Sequence, residues 1–222
     1  MYWYQYLLFM LPAYLFVLII RTVLKSTVSK YSAVNTGING MTAARLVLSL
    51  GGASGVPVNQ VRGDLTDNYD PASNTIFLSE TVYDKYSVAA VGIAAHEAGH
   101  ALQYHENYAP ARIRQASVKI CNIGSRFLIP LMILGFILSF KPLVIAGIVS
   151  FMLVVAVQLI TLPVEFNASR RAITVLSDSG RFTAEEIKGV RKVLNAAAMT
   201  YVGSLAVSAL QLVYNITRFK GR

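Results

Sequence analysis

Apolar positions in this chain gather into long tracts separated by two polar segments, and that alternation sets the expected architecture. The first tract covers residues 2–20. Between Arg126 and Val164 the only charge is Lys141, and Lys141-Pro142 divides the stretch into 127–140 and 142–163. At about 1.5 Å rise per residue the undivided stretch is too long for one crossing of a roughly 30 Å hydrocarbon layer, so it predicts a helical hairpin turning at Lys141. The first arm is short, and it extends back to Cys121 with Arg126 snorkelling to the interface or facing a polar cavity. A fourth tract, 193–217, is diluted by Asn195, Thr200, Gln211 and Asn215, a composition suited to packing against other spans or lining a cavity as well as to facing lipid.

The polar segments carry shorter periods. Residues 41–50 pattern as an amphipathic helix with Thr42 near its start and Gly51-Gly52 ending it. Residues 56–61 and 74–78 read as the two strands of a short β-hairpin, separated by the turn-rich 63–73 with its Asp70-Pro71. Ser87 is placed to cap a helix running to about His105. Thr183 and Glu186 form a capping box for an amphipathic helix over 184–195, expected to lie along the membrane surface.

A chain with 55% hydrophobic and 14% charged residues is too apolar for an ordinary soluble domain. The net charge of +9 follows the membrane pattern: sixteen of the twenty Lys and Arg fall in 21–126 and 164–192. No aromatic-interleaved basic patch accompanies them, which argues against nucleic acid as a partner. The positive-inside rule puts both polar segments in the cytoplasm, although Arg218, Lys220 and Arg222 run against it at the C-terminus. Residues 1–20 read as a retained anchor and not a signal peptide, because they lack a basic start and Arg21 and Lys25 stand where a cleavage site would fall. Tyr2, Trp3, Tyr4 and Tyr6 then make an aromatic interface belt. A single cysteine excludes an internal disulfide and fits a reducing compartment.

Within the small-residue run 88–102, His96-Glu97-Ala98-Gly99-His100 spells HExxH. On a helix, residues four apart lie on one face about 6 Å apart, so two imidazoles can grip one metal ion. Zinc held this way acidifies its bound water, and Glu97 beside it can take the proton as the water attacks a carbonyl. Buried without a metal, each of these polar groups would cost roughly 2–7 kcal/mol if unpaired.

Catalytic zinc takes a third protein ligand. The extended motif that would supply a His at position 106 is absent, since the chain has Gln103 and Glu106 there. His105 points about 140° away from His100 around the helix, which suits packing or a place near substrate better than ligation. Glu165 is the strongest remaining candidate: it stands at the polar end of the third span, on the side to which the hairpin returns the chain. Without HExxH it would read as an interfacial anchor followed by Arg170 and Arg171.

HEAGH at 96–100, NYDP at 68–71, LPVEFNASRRA at 162–172 and LNAAAMTYV at 194–202 together resemble the YugP-type membrane zinc metallopeptidases over nearly the full length. A more distant likeness is to HtpX-like membrane proteases, whose third ligand is a Glu in an ExxAD-type motif. The resemblance implies one Zn2+ ion at His96, His100 and Glu165, with Glu97 as general base. Ser169 stands where the distant pattern has Asp, so Asn167 or a backbone carbonyl is the candidate to orient a ligand His.

The expected fold is mainly α: a polytopic membrane protein with about four transmembrane helices and a small zincin-like α+β catalytic portion carrying the hairpin. Its segments are a transmembrane anchor (1–20), a polar catalytic segment (21–120), a transmembrane hairpin (121–163), a third-ligand segment with the amphipathic helix (164–192), and a fourth transmembrane or cavity-lining helix with a basic tail (193–222). The expected activity is that of a gluzincin-like zinc metalloendopeptidase in a multi-pass membrane protein, the plasma membrane if bacterial, with its site on the cytoplasmic side. Substrates are proteins or peptides, membrane proteins above all, with the bilayer as the other partner. The alternative is a non-catalytic zinc-binding membrane scaffold. Strand 74–79, with Asn74 and Ile76, is the candidate edge for a substrate strand, and Tyr104, His105, Arg170 and Arg171 are candidate oxyanion donors.

Overall fold

The structure, a computed structural model, describes residues 3–220; Tyr2 and Arg222 lie outside the described residues, as do the side chains of Trp3, Cys121 and Arg126. Six helices and three short strands follow one another as α1 (Trp3–Ser32), α2 (Gly40–Leu50), β1 (Val58–Val61), β2 (Asn68–Asp70), β3 (Thr75–Ser79), α3 (Val88–His105), α4 (Ala109–Ile137), α5 (Lys141–Asp178) and α6 (Ala184–Lys220).

The expected hairpin forms as α4 and α5. Leu138 closes α4, Ser139 takes a left-handed φ of 52°, and Pro142 opens α5, where its missing N–H costs nothing. Beyond that, helices run straight through the segment boundaries read from polarity. α1 passes Ile20 to Ser32, α4 contains residues 120 and 121, α5 passes Pro163 to Asp178, and α6 begins at the Thr183–Glu186 capping box and continues to Lys220. The amphipathic stretch 184–195 is therefore the first part of α6, and its Val190 and Leu194 are buried in the core. A change from apolar to polar residues marks where a helix leaves the hydrocarbon layer, and nothing there obliges it to end.

Among the described residues three helices are long and apolar enough to cross a membrane, Tyr4–Ser32, Lys141–Asp178 and Ala184–Phe219, against the four spans expected. Their outward faces suit lipid. Leu8, Leu18 and Ile19 on α1 are 60–66% exposed, and leaving such side chains in water forfeits roughly 1.5–3 kcal/mol each. α1 and α6 pack antiparallel, with Gly203 against Val17 and Ile20 and with Tyr6 donating to Gln211 Oε1 at 2.6 Å.

The sheet departs from the expected two-stranded hairpin. Its order is β1-β3-β2, with β1 parallel and β2 antiparallel to β3. The tight turn lies between β2 and β3, where the Asp70 carboxylate accepts from Ala72 N and Ser73 N and Asn74 adopts a φ of 50°. Asp67 secures the return by accepting from Ser79 N and Oγ. β3 thus has a neighbour on each side, and Ile76 is fully buried. It offers no edge to a substrate strand, which corrects that expectation for Asn74 and Ile76; Asn74 instead accepts from the Tyr69 hydroxyl at 2.8 Å.

At the centre lies α3, capped by Ser87, whose side chain accepts from Ala90 N at 3.2 Å. It is apolar nearly all round, as a helix enclosed by neighbours must be. Val88, Val91 and Leu102 share one core with Leu48 of α2, Leu78 of β3, Leu176 of α5 and Val190 of α6. The small residues of α3 set how closely these neighbours approach. A Cβ on Gly99 would drive into the Ala168 carbonyl of α5, whereas one on Gly92 would meet Val190 at an ordinary 3.5 Å. Gly99→Ala is accordingly expected to destabilise the protein by about 1–3 kcal/mol or more, with Gly92→Ala near neutral. Thermal unfolding in detergent compares the two, and equal midpoints would refute the close crossing.

Candidate metal centre

α3 presents His96 and His100 one turn apart, ring centroids 4.7 Å from each other and planes at 78°. Across the Gly99 crossing, α5 brings in Glu165, whose Oε2 lies 3.2 Å from His96 Nε2 and 3.7 Å from His100 Nε2. Tetrahedral zinc with bonds of about 2.0–2.1 Å sets neighbouring donors about 3.3 Å apart, and these separations bracket that value. The three expected ligands therefore converge.

Hydrogen bonds on the far side of each ring fit the same purpose. His100 Nδ1 faces Gln103 Oε1 at 3.0 Å, and the Gln103 amide orientation is set because its Nε2 donates to Val164 O at 2.8 Å and Asn167 Oδ1 at 2.9 Å. His100 must then carry its proton on Nδ1, leaving the Nε2 lone pair for a metal. His96 Nδ1 meets Ser169 Oγ at 3.1 Å, so Ser169 serves where the distant pattern has a carboxylate. Asn167 does not touch a ligand ring; it acts through Gln103 and also accepts from Arg171 Nε at 2.7 Å.

Glu97 stands beside the cluster, held by the Tyr69 N–H, which donates to its Oε2 at 2.9 Å from β2. Burial above all pushes the Glu97 carboxyl above the usual carboxylate range; His96 and the Tyr69 N–H oppose this, while Glu165 and Asp67 add to it. A base poised nearer neutrality suits proton transfer at physiological pH.

A cavity of about 870 Å3 opens from the cluster between α1 and α6, lined by His96, Glu97, Glu165 and apolar residues such as Leu24, Val28, Leu194 and Ala197. Tyr201 of α6 lines it and faces Glu165, Arg114 and Glu97.

None of the four oxyanion candidates read from the sequence lines this cavity. Tyr104 donates to Ala111 O and packs on Tyr69, His105 sits near Gly52, Arg170 is exposed, and Arg171 pairs with Glu106. Arg170 and Arg171 follow Glu165 by five and six residues, which turns both away from the ligand face. Tyr201, Arg114 and Gln103 went unread because each is joined to the site by tertiary structure; the one local signal was Gln103, three residues after His100 on an apolar helix.

Two imidazoles and a carboxylate, with a second carboxylate alongside, form the donor set of a zinc hydrolase. From residue 6 to 220 the sequence matches the family described as "Putative neutral zinc metallopeptidase", and the chain belongs to that family. It is 43% identical over 191 residues, 85% of each chain, to the Bacillus subtilis (strain 168) protein described as "Putative membrane protease YugP". No solved structure matches it.

Releasing the rings from their outer partners should weaken the site. Gln103→Leu and Ser169→Ala are each expected to lower zinc affinity about 10- to 100-fold, measured by competition with a chromophoric chelator; wild-type affinity in both would show that these bonds do not tune the ligands.

Proposed function

We propose that this chain is a membrane-embedded zinc metalloendopeptidase that cleaves loops or unfolded segments of membrane proteins at the cytoplasmic boundary of the bilayer. The observation that carries the reading is Glu97 fixed by a backbone N–H beside a three-donor cluster, at the head of an apolar cavity walled by two candidate membrane spans.

Zinc, when bound, supplies Lewis acidity toward the scissile carbonyl and lowers the pKa of water at its open position. Glu97 accepts the proton of the attacking water and passes it to the leaving amine. The Tyr201 hydroxyl, in the same cavity, donates to the carbonyl oxygen as negative charge builds there. Leu24, Val28, Leu194 and Ala197 receive apolar side chains of the substrate and keep bulk water from the reacting bond.

Depth in the membrane supports the substrate class. The apolar run of α1 ends at Arg21 and that of α5 ends just before Glu165, and both residues line the cavity. These two helices therefore change polarity close to the metal cluster. A non-catalytic zinc scaffold would close its site with a fourth protein ligand, and the cluster among the described residues has three donors.

Glu97→Gln is expected to keep zinc and lose cleavage, and His96→Ala to lose the metal, both read by metal analysis beside turnover. Tyr201→Phe should lower kcat about 10²–10³-fold at unchanged zinc content. Purified enzyme with misfolded membrane proteins should give fragments that disappear with chelator; fragment patterns indifferent to chelator would remove the peptidase reading.

A further inference from the structure

Besides the imidazoles and the Tyr201 hydroxyl, Glu165 meets a cation that the zinc chemistry does not explain. While its Oε2 faces both imidazoles, its Oε1 lies 3.0 Å from Nη2 of Arg114, on the first turns of α4. The carboxylate is almost wholly enclosed, with a side chain 2% exposed, and the guanidinium side chain is 30% exposed. The two oxygens of one carboxylate are thus given different neighbours.

The fold places Arg114 deliberately. Where α3 passes into α4, Tyr108 N donates to Gln103 O at 2.8 Å and the Tyr104 hydroxyl donates to Ala111 O at 3.2 Å. Arg171 of α5 reaches across to pair with Glu106 and lies 5.7 Å from the Tyr108 ring. Ala111 is buried, so this corner is packed and fixed, and Arg114 follows it by less than one helical turn. By contrast, exposed Arg112 turns away to donate to Asn107.

A carboxylate free at both oxygens can chelate a metal through both and fill a position that a hydrolase needs for water. Pairing one oxygen with a guanidinium opposes that. We propose that Arg114 is a positioning residue that makes Glu165 a one-oxygen ligand and so preserves the open coordination position. The assignment rests on the zinc-site reading above. It also gives the buried carboxylate a compensating cation before metal arrives, a purely structural service that the test must separate from positioning.

The test uses the full-length protein in detergent, with zinc affinity by chelator competition and the visible absorption of the Co2+-substituted form as a report of coordination number. Arg114→Gln is expected to weaken zinc binding about 10- to 100-fold and to lower the Co2+ visible intensity, as a fifth donor atom joins the metal. Arg114→Lys, which keeps the charge without the planar fork, should lose roughly 3- to 10-fold, and it carries the test if the Gln variant does not fold. Arg112→Gln should match wild type in both readouts. Wild-type affinity in the Arg114 variants would overturn the proposal, and so would weakened binding with an unchanged Co2+ spectrum, which would leave charge compensation alone. Wild-type protein that binds neither metal would instead overturn the zinc-site reading itself.

Discussion

The contact between Gly99 of α3 and Ala168 of α5 is the one on which the metal centre depends. Two histidines four residues apart bring only two donors, and the third must come from a helix far along the chain. That helix has to run close enough for a short carboxylate to reach both rings, and a single methyl group at position 99 would hold it off. Steric exclusion outweighs the polar bonds here: the hydrogen bonds from Gln103 to Val164 and Asn167 contribute about 0.5–1.5 kcal/mol each, enough to align helices already in contact but not to compress a misfit. The Arg171–Glu106 pair then closes the same crossing from its outer side.

The second organising constraint is the length of the apolar helices. α1, α5 and α6 are long and apolar enough to cross a membrane, and each carries its polar end onward as uninterrupted helix to the metal cluster, so the candidate spans and the site are built from the same elements. α3, the sheet and α2 pack as a compact cluster at that end. The candidate site therefore draws on α3, α5 and α6, and Glu97 is held by a strand three residues long.

What could be read in advance follows from the range of the forces involved. The HExxH pair, the Ser87 and Thr183–Glu186 caps and the Lys141-Pro142 turn were legible because each is written within a few residues. Glu165 was legible because an acid at the end of an apolar span is conspicuous. β2 escaped because Asn68–Asp70 has no alternation to detect, and the parallel pairing of β1 with β3 leaves no mark in either strand. Arg114 and Tyr201 escaped for a different reason: neither has a local pattern pointing to Glu165, and only the packing of α4 and α6 brings them there.

The 38-residue length of α5 carries a mechanical corollary. Glu165 follows Pro163 on a helix whose other end is apolar enough to enter hydrocarbon, and spanning helices answer a thinner or thicker layer by changing their tilt. In a bilayer, with the Gly99 contact as fulcrum, such a change of tilt would act on the spacing between the carboxylate and the imidazoles.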